Sequence, residues 1–167
     1  MIRPDRIGHV AIRVRDLKRS REFYTEVLGL QLMKEIPEWR AAFLSSGGRD
    51  HHEMALLEVG PQAEVPRANE VGLVHIAFRL PSEEDLRTAY QELKARGVPV
   101  AFTVNHGVSK SVYFQDPDGH GVEVYCDNPP EEYAHMPNPY MGVEKLDFAQ
   151  DDPGLADVFA QDRKSVV

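Results

Sequence analysis

The chain is short of three things. It has one cysteine, Cys126, in 167 residues. That excludes an internal disulfide and suits a reducing compartment. It has no apolar run near the roughly 20 residues needed to span a bilayer. Its opening stretch, MIRPDRIGHV, lacks the apolar segment of a secretory signal. It is also poor in positive charge, with 19 Lys and Arg against 27 Asp and Glu, a net charge of −8. Phosphates would be repelled, so nucleic acid is excluded as a partner. What is present is ordinary for a globular chain: 42% apolar residues and enough length for one domain with a real core. The expectation is a soluble cytoplasmic protein, not bound to membrane, that handles a small molecule or a protein partner.

An internal repeat organises the sequence. The hexapeptides HVAIRV and HIAFRL align His9 with His75, Ala11 with Ala77 and Arg13 with Arg79. Val10 and Ile12 alternate with His9, Ala11 and Arg13, the period-2 pattern of a half-buried strand. A helix follows in each copy. The first starts on Asp16, carries Leu17, Phe23 and Val27 near one face and stops at Gly29. The second is capped by Ser82, has Glu84 and Asp85 in its first turn and ends at Gly97. LQLMKEI, WRAAFLSS and EMALLEV then read as strands, as do PVAFTV, KSVYFQ and GVEVYC.

The predicted class is therefore α+β, with two βαβββ modules forming a curved, barrel-like sheet around a metal cleft. Module one covers about 5–60, a polar linker 61–72, module two about 73–126 and a Pro-rich tail 127–167, all within a single domain of 1–167. The tail holds one weak helical piece, GLADVFAQDRK.

One carboxylate stands out, because Glu123 lies between Val122 and Val124 in a strand. It reads either as one polar face of an amphipathic strand or as a metal ligand. DPDGH, residues 116–120, is turn chemistry, with Gly119 free to take positive φ. That loop pairs Gln115 with Gly121 and sets Tyr113 directly across from Glu123. His9 and His75 occupy equivalent positions opposite apolar strand faces, which points both into the cleft. They read as structural histidines or as ligands, and their repetition favours ligands. Two imidazoles and one carboxylate make the facial triad, a ligand set suited to Fe(II) and oxygen chemistry. His51 and His52 open a strand after a glycine turn, His106 lies in a loop, and His120 reads as an exposed loop residue. Histidine suits proton transfer near neutral pH.

These residues resemble a known superfamily, the vicinal oxygen chelate proteins: glyoxalase I, bleomycin-resistance proteins, epimerases and extradiol dioxygenases. GHVAIRVRDLKRSREFYTEVLGL is similar to its opening segment. FLSSGGRDHHEMAL, NHGVSKSVYFQDPDGHGVEVY and the tail CDNPPEEYAHMPNPYMGVEKLDF resemble the single-domain catechol 2,3-dioxygenase-like branch. The resemblance implies Fe(II), with Mn(II) as the other metal, held by His9, His75 and Glu123. It implies His52 as acid–base residue, His106 as a further active-site histidine and Tyr113 as a substrate contact. The substrates it implies are a catechol-type aromatic diol and dioxygen, with no organic cofactor, in a homodimer or higher homo-oligomer.

Two other activities fit the same superfamily. A glyoxalase I-like isomerase or lyase uses four ligands, the extra carboxylate coming from the last strand of module one. The repeat offset places Leu57 there; aligning DHHEMAL with DGHGVEV places Ala55. Neither is acidic, and Glu58 reads as a rim residue. A non-enzymatic small-molecule binder would not need the triad.

Overall fold

Alternating burial marks the first strand of each repeat, Val10–Val14 and Ile76–Arg79. The computed structural model describes residues 1–65 and 70–162. Part of the expected linker (66–69) and the last two residues of the expected helical piece (163 and 164) lie outside the described residues.

Repeat one runs β1 (Val10–Val14), α1 (Leu17–Glu26), β2 (Gln31–Ile36), β3 (Ala41–Ser45) and β4 (Met54–Glu58). Repeat two runs β5 (Ile76–Arg79), α2 (Glu83–Ala95), β6 (Val100–Asn105), β7 (Ser109–Gln115) and β8 (Gly121–Asp127). Short helices α3 (Pro130–Tyr133) and α4 (Leu155–Asp162) follow in the tail. The chain divides into two compact units. Unit 1 is Met1–Glu70 with Asp116–Gly119, and unit 2 is Val71–Gln115 with His120–Val167.

In unit 1 the sheet order is β1-β4-β3-β2, with β1 parallel to β4 and the other pairs antiparallel. Ile12 and Val14 are buried while Ala11 and Arg13 are exposed, so one face packs and the other is open. Asp16 caps α1 by accepting from the Arg19 N–H, as a helix start requires. The buried stripe of α1 is Leu17, Ser20 and Tyr24. Phe23 and Val27, expected on that face, are only half-buried. Tyr24 displaces Phe23 because its hydroxyl finds a buried acceptor, donating to Asp116 at 3.1 Å. The expected strand WRAAFLSS starts late. Pro37–Trp39 form a 3-10 turn, and Arg40 is left-handed at φ 50°. Pro37 has no N–H to give a ladder.

The loop Asp116–Gly119 is more than a turn. Gly119 takes φ 87° as expected. Asp118, 3% exposed, accepts from the Arg15 N–H at 2.9 Å and Arg15 Nε at 2.8 Å, and pairs closely with Arg19. Burial works to raise its pKa, but these bonds and the arginine charges hold the carboxyl below its ordinary value.

In unit 2 the order is β5-β8-β7-β6, again with one parallel pair, β5 and β8. Ser82 caps α2 by accepting from the Asp85 N–H. Leu86, Val112, Phe114 and Val122 form the core. Each repeat thus forms its own four-stranded mixed sheet, not closed into a barrel, within the expected α+β class of two βαβββ modules. Each ends at its own edge strands, and the β6 edge is covered by the tail. Thr103 bridges to Gly154 and Asn105 to Glu144, so β6 presents fewer unpaired backbone groups. Asp152 ties the same tail to α2, accepting from Tyr90 Oη at 2.6 Å and Lys94 Nζ at 3.0 Å. Burial first, and then the Asp152 carboxylate, push the Tyr90 hydroxyl up to about 12.

Candidate metal and diol site

The β7–β8 hairpin forms in the register that its turn implies. Gln115 pairs with Gly121 and Tyr113 with Glu123. Glu123 is 7% exposed, while its neighbours Val122 and Val124 face the core. Its Oε1 accepts from Tyr113 Oη at 2.9 Å, and its Oε2 lies 3.0 Å from His75 Nε2. Burial and the adjacent carboxylate raise the Tyr113 pKa well above that of a free phenol, so this hydroxyl keeps its proton.

Parallel pairing explains how His75 reaches Glu123. Ala77 is the register partner of Glu123, and His75 precedes it by two residues on the same face. The strands are close here. A Cβ on Gly121 would lie 2.3 Å from the Val74 carbonyl oxygen, so only glycine admits this approach.

His106 lies between β6 and β7, its Nε2 3.4 Å from Tyr113 Oη. Phe102, the cross-strand partner of Tyr113, stacks on its ring at 4.3 Å and 16°. A cavity of about 340 Å³ opens beside these groups, its lining including Val74, His75, Phe102, His106, Tyr113 and Leu155. The residues that sequence reasoning missed are Phe102 and Leu155. The β6–β7 pairing could have indicated Phe102, whereas no local signal marks Leu155.

Unit 1 carries the other candidates. His9 precedes β1 and is exposed, on the face of Ala11. Its ring lies 4.6 Å from that of His52, which also meets Phe43 edge-on at 4.9 Å. Partial burial, and then His51 and His9, lower the His52 pKa. His51 and His52, expected to open a strand, precede it, because β4 begins only at Met54. The two rings touch instead, with their Nδ1 atoms 2.6 Å apart.

Unit 1 has no counterpart of Glu123. Ala55 pairs with Ala11 as Glu123 pairs with Ala77. Leu57, two residues on along the same face, is also apolar. Glu58 is engaged elsewhere. It accepts from the Leu17 N–H at 2.9 Å and pairs closely with Arg40. These bonds, the Leu17 one first, lower its pKa.

The structure thus gathers His75, Glu123, Tyr113 and His106 in unit 2, and His9 with His52 in unit 1. Among the described residues no three His, Cys, Asp or Glu side chains stand assembled as a metal-holding group. The chemistry of the donors nevertheless suits a divalent cation. A carboxylate this buried, beside an imidazole nitrogen, is a ready anionic ligand, and imidazole with carboxylate matches iron or manganese.

Comparison with known proteins decides the family. Residues 6–124 match the Glyoxalase/Bleomycin resistance protein/Dioxygenase superfamily. The chain belongs to this superfamily. It is 36% identical over 124 residues to catechol-2,3-dioxygenase of Bacillus subtilis, covering 74% of this chain and 42% of that one. It therefore spans less than half of that relative. It is 35% identical over 137 residues to biphenyl-2,3-diol 1,2-dioxygenase 3 of Rhodococcus globerulus, covering 78% of this chain and 70% of that one. A lactoylglutathione lyase of Neisseria meningitidis is also similar, at 31% over 126 residues, covering 71% of this chain and 88% of that one. Among solved structures, a glyoxalase/dioxygenase from Nostoc punctiforme superposes with a TM-score of 0.64, covering 77% of this chain and 97% of that one at 23% identity, a likeness of fold. Among the described residues no helix is long and apolar enough to cross a membrane.

Proposed function

We propose that this superfamily member is an Fe(II)-dependent extradiol dioxygenase that cleaves a catechol-type ring beside its two hydroxyls. The ligands are His9, His75 and Glu123, and Mn(II) would satisfy the same donors. The observation that carries this reading is the buried Glu123 carboxylate, held between His75 and Tyr113, with Ala55 at the equivalent register position of unit 1. A four-ligand lyase site would call for a carboxylate there.

When bound, the metal supplies a Lewis acid that lowers the pKa of the diol hydroxyls and brings diol and dioxygen together. The protein's own side chains do the rest. Phe102 and Leu155 offer an apolar wall for the ring, which favours an aromatic guest over a charged one. Tyr113, kept protonated by its surroundings, donates a hydrogen bond to a diol oxygen. His106 stands behind Tyr113 in the same cavity. His52, whose depressed pKa leaves it neutral at pH 7 and able to accept a proton, serves as the acid–base residue. Both repeats work as one domain in a cytoplasmic homodimer or larger assembly.

The test is oxygen uptake by the anaerobically iron-loaded protein with a panel of substituted catechols. Stoichiometric uptake with yellow ring-fission product supports the reading. No uptake, together with isomerisation of a glutathione hemithioacetal by the nickel- or zinc-loaded protein, would replace it with the lyase reading.

A further inference from the structure

Besides the Leu155 side chain, the C-terminal tail brings a backbone carbonyl to the site. His106 Nδ1 lies 3.2 Å from the Gly142 carbonyl oxygen, and the Gly142 N–H donates back to the His106 carbonyl at 3.0 Å. Flanking bonds hold the two segments in place. The Val108 N–H donates to Pro139 at 3.0 Å and the Asn105 N–H to Glu144 at 2.7 Å. From the other side Asn128, 6% exposed, gives its Nδ2 to the Gly107 carbonyl at 2.7 Å and to Asn105 Oδ1 at 3.0 Å.

Contact this close requires a glycine. A Cβ on Gly142 would lie 2.5 Å from the Asn105 carbonyl oxygen and 2.6 Å from the His106 carbonyl carbon. Both are backbone atoms that no rotamer change can move aside.

We infer that Gly142 is a positioning residue that holds His106 as its Nδ1–H tautomer, so that Nε2 faces Tyr113 as a proton acceptor. A carbonyl oxygen can only accept, so Nδ1 must carry the proton in their bond. A neutral imidazole then presents a lone pair at Nε2. Tyr113 has a single hydroxyl proton, and here it goes to Glu123 at 2.9 Å, leaving the 3.4 Å approach to Nε2 long. Once Glu123 is turned to a cation, the Tyr113 hydroxyl is free to rotate, toward Nε2 when no diol is bound and toward a diol oxygen when one is. Tyr113 thereby has two acceptors within the protein, and the tail presets the second. This assigns His106 an accepting role toward Tyr113, where the family resemblance implied only a further active-site histidine. The inference rests on the proposed dioxygenase reading for its catalytic meaning but not for its geometry.

The experiment is ¹⁵N NMR of the full-length, metal-free chain labelled in its histidine rings, with the His106 signal assigned by its loss in His106→Gln. The expected result is a protonated Nδ1 and an unprotonated Nε2 in the wild type, and a mixture of tautomers in Gly142→Ala. Iron-loaded Gly142→Ala should keep its iron and its KM for catechol while kcat falls on the order of 10–100-fold. A wild-type His106 protonated at Nε2 overturns the inference, and this readout needs no variant of Gly142. A KM that rises with kcat unchanged in Gly142→Ala also overturns it. If no catechol is cleaved by any form but the tautomer shifts as stated, the positioning role stands and the dioxygenase reading falls.

Discussion

The two repeats share a strand register and differ in what that register carries. Opposite Ala77 stands Glu123; opposite Ala11 stands Ala55. Beside Glu123 are an imidazole, a phenol and a second imidazole. On the matching face of unit 1, His9 has two other histidines within ring contact of its cluster and no carboxylate at the equivalent position. Unit 1 spends its acidic groups on structure instead. Glu58 caps the start of α1, and Asp118 binds Arg15 and Arg19. A duplicated scaffold thus need not duplicate chemistry. One side chain, glutamate or alanine, separates the two equivalent register positions.

The comparison is broken most severely by Glu123→Ala. It makes unit 2 resemble unit 1 at this position, and ring cleavage should fall below detection in an oxygen-uptake assay. His75→Ala should do the same, with secondary structure by circular dichroism unchanged in both.

A step down in size is His52→Phe, which alters unit 1 and leaves all three proposed ligands in place, its ring lying beside His9. Its turnover should drop on the order of 10²–10⁴-fold, the usual cost of losing a positioned acid–base group. Anaerobic catechol binding should stay near the wild-type value. His51→Phe should give a smaller loss, because its ring reaches the site only through His52. Equal losses would mean that the pair acts as a unit.

Asp118→Asn tests the acidic groups that unit 1 uses for structure. It should cost about 1–3 kcal/mol of stability at pH 7, since buried bonds to charged partners are lost, toward the low end because both arginines can regain water. The sign with pH follows from the depressed carboxyl pKa. Its stabilisation is fully present above the ordinary carboxyl value of about 3.9 and disappears as pH falls through the lower folded-state value. Urea melts of wild type and variant should therefore differ at pH 7 and converge in strong acid. A constant difference across that range would contradict the assignment.

The smallest effect is expected from Glu58→Gln. Gln can still accept from the Leu17 N–H, and the lost ion pair with half-exposed Arg40 is worth about 1 kcal/mol or less. Catechol turnover should not change. A large loss of activity would bring back a fourth carboxylate and the lyase-type site.

Much of this was legible in the sequence, for local reasons. Period-2 alternation, the Asp16 and Ser82 caps and the DPDGH turn are short-range signals, and the turn alone set Tyr113 across from Glu123. What could not be read depends on distant partners. Asp118 looks like a turn residue until Arg15 and Arg19, about a hundred positions away, are seen around it. Tyr24 and Phe23 are adjacent aromatics, and only the buried acceptor Asp116 decides which points inward. The tail carries no hydrophobic period strong enough to show that it would pair with β6 or place Gly142 on His106. The strand expected to open at His51 and His52 begins only at Met54, which leaves both rings in the preceding loop.

The central claim is that one carboxylate, Glu123, joins His9 and His75 in holding the metal. It is tested most directly by the iron content of the anaerobically reconstituted chain after gel filtration. Wild type and Glu58→Gln should each retain one iron per chain, and His9→Ala, His75→Ala and Glu123→Ala should each lose most of it. Full iron occupancy in Glu123→Ala would contradict the account.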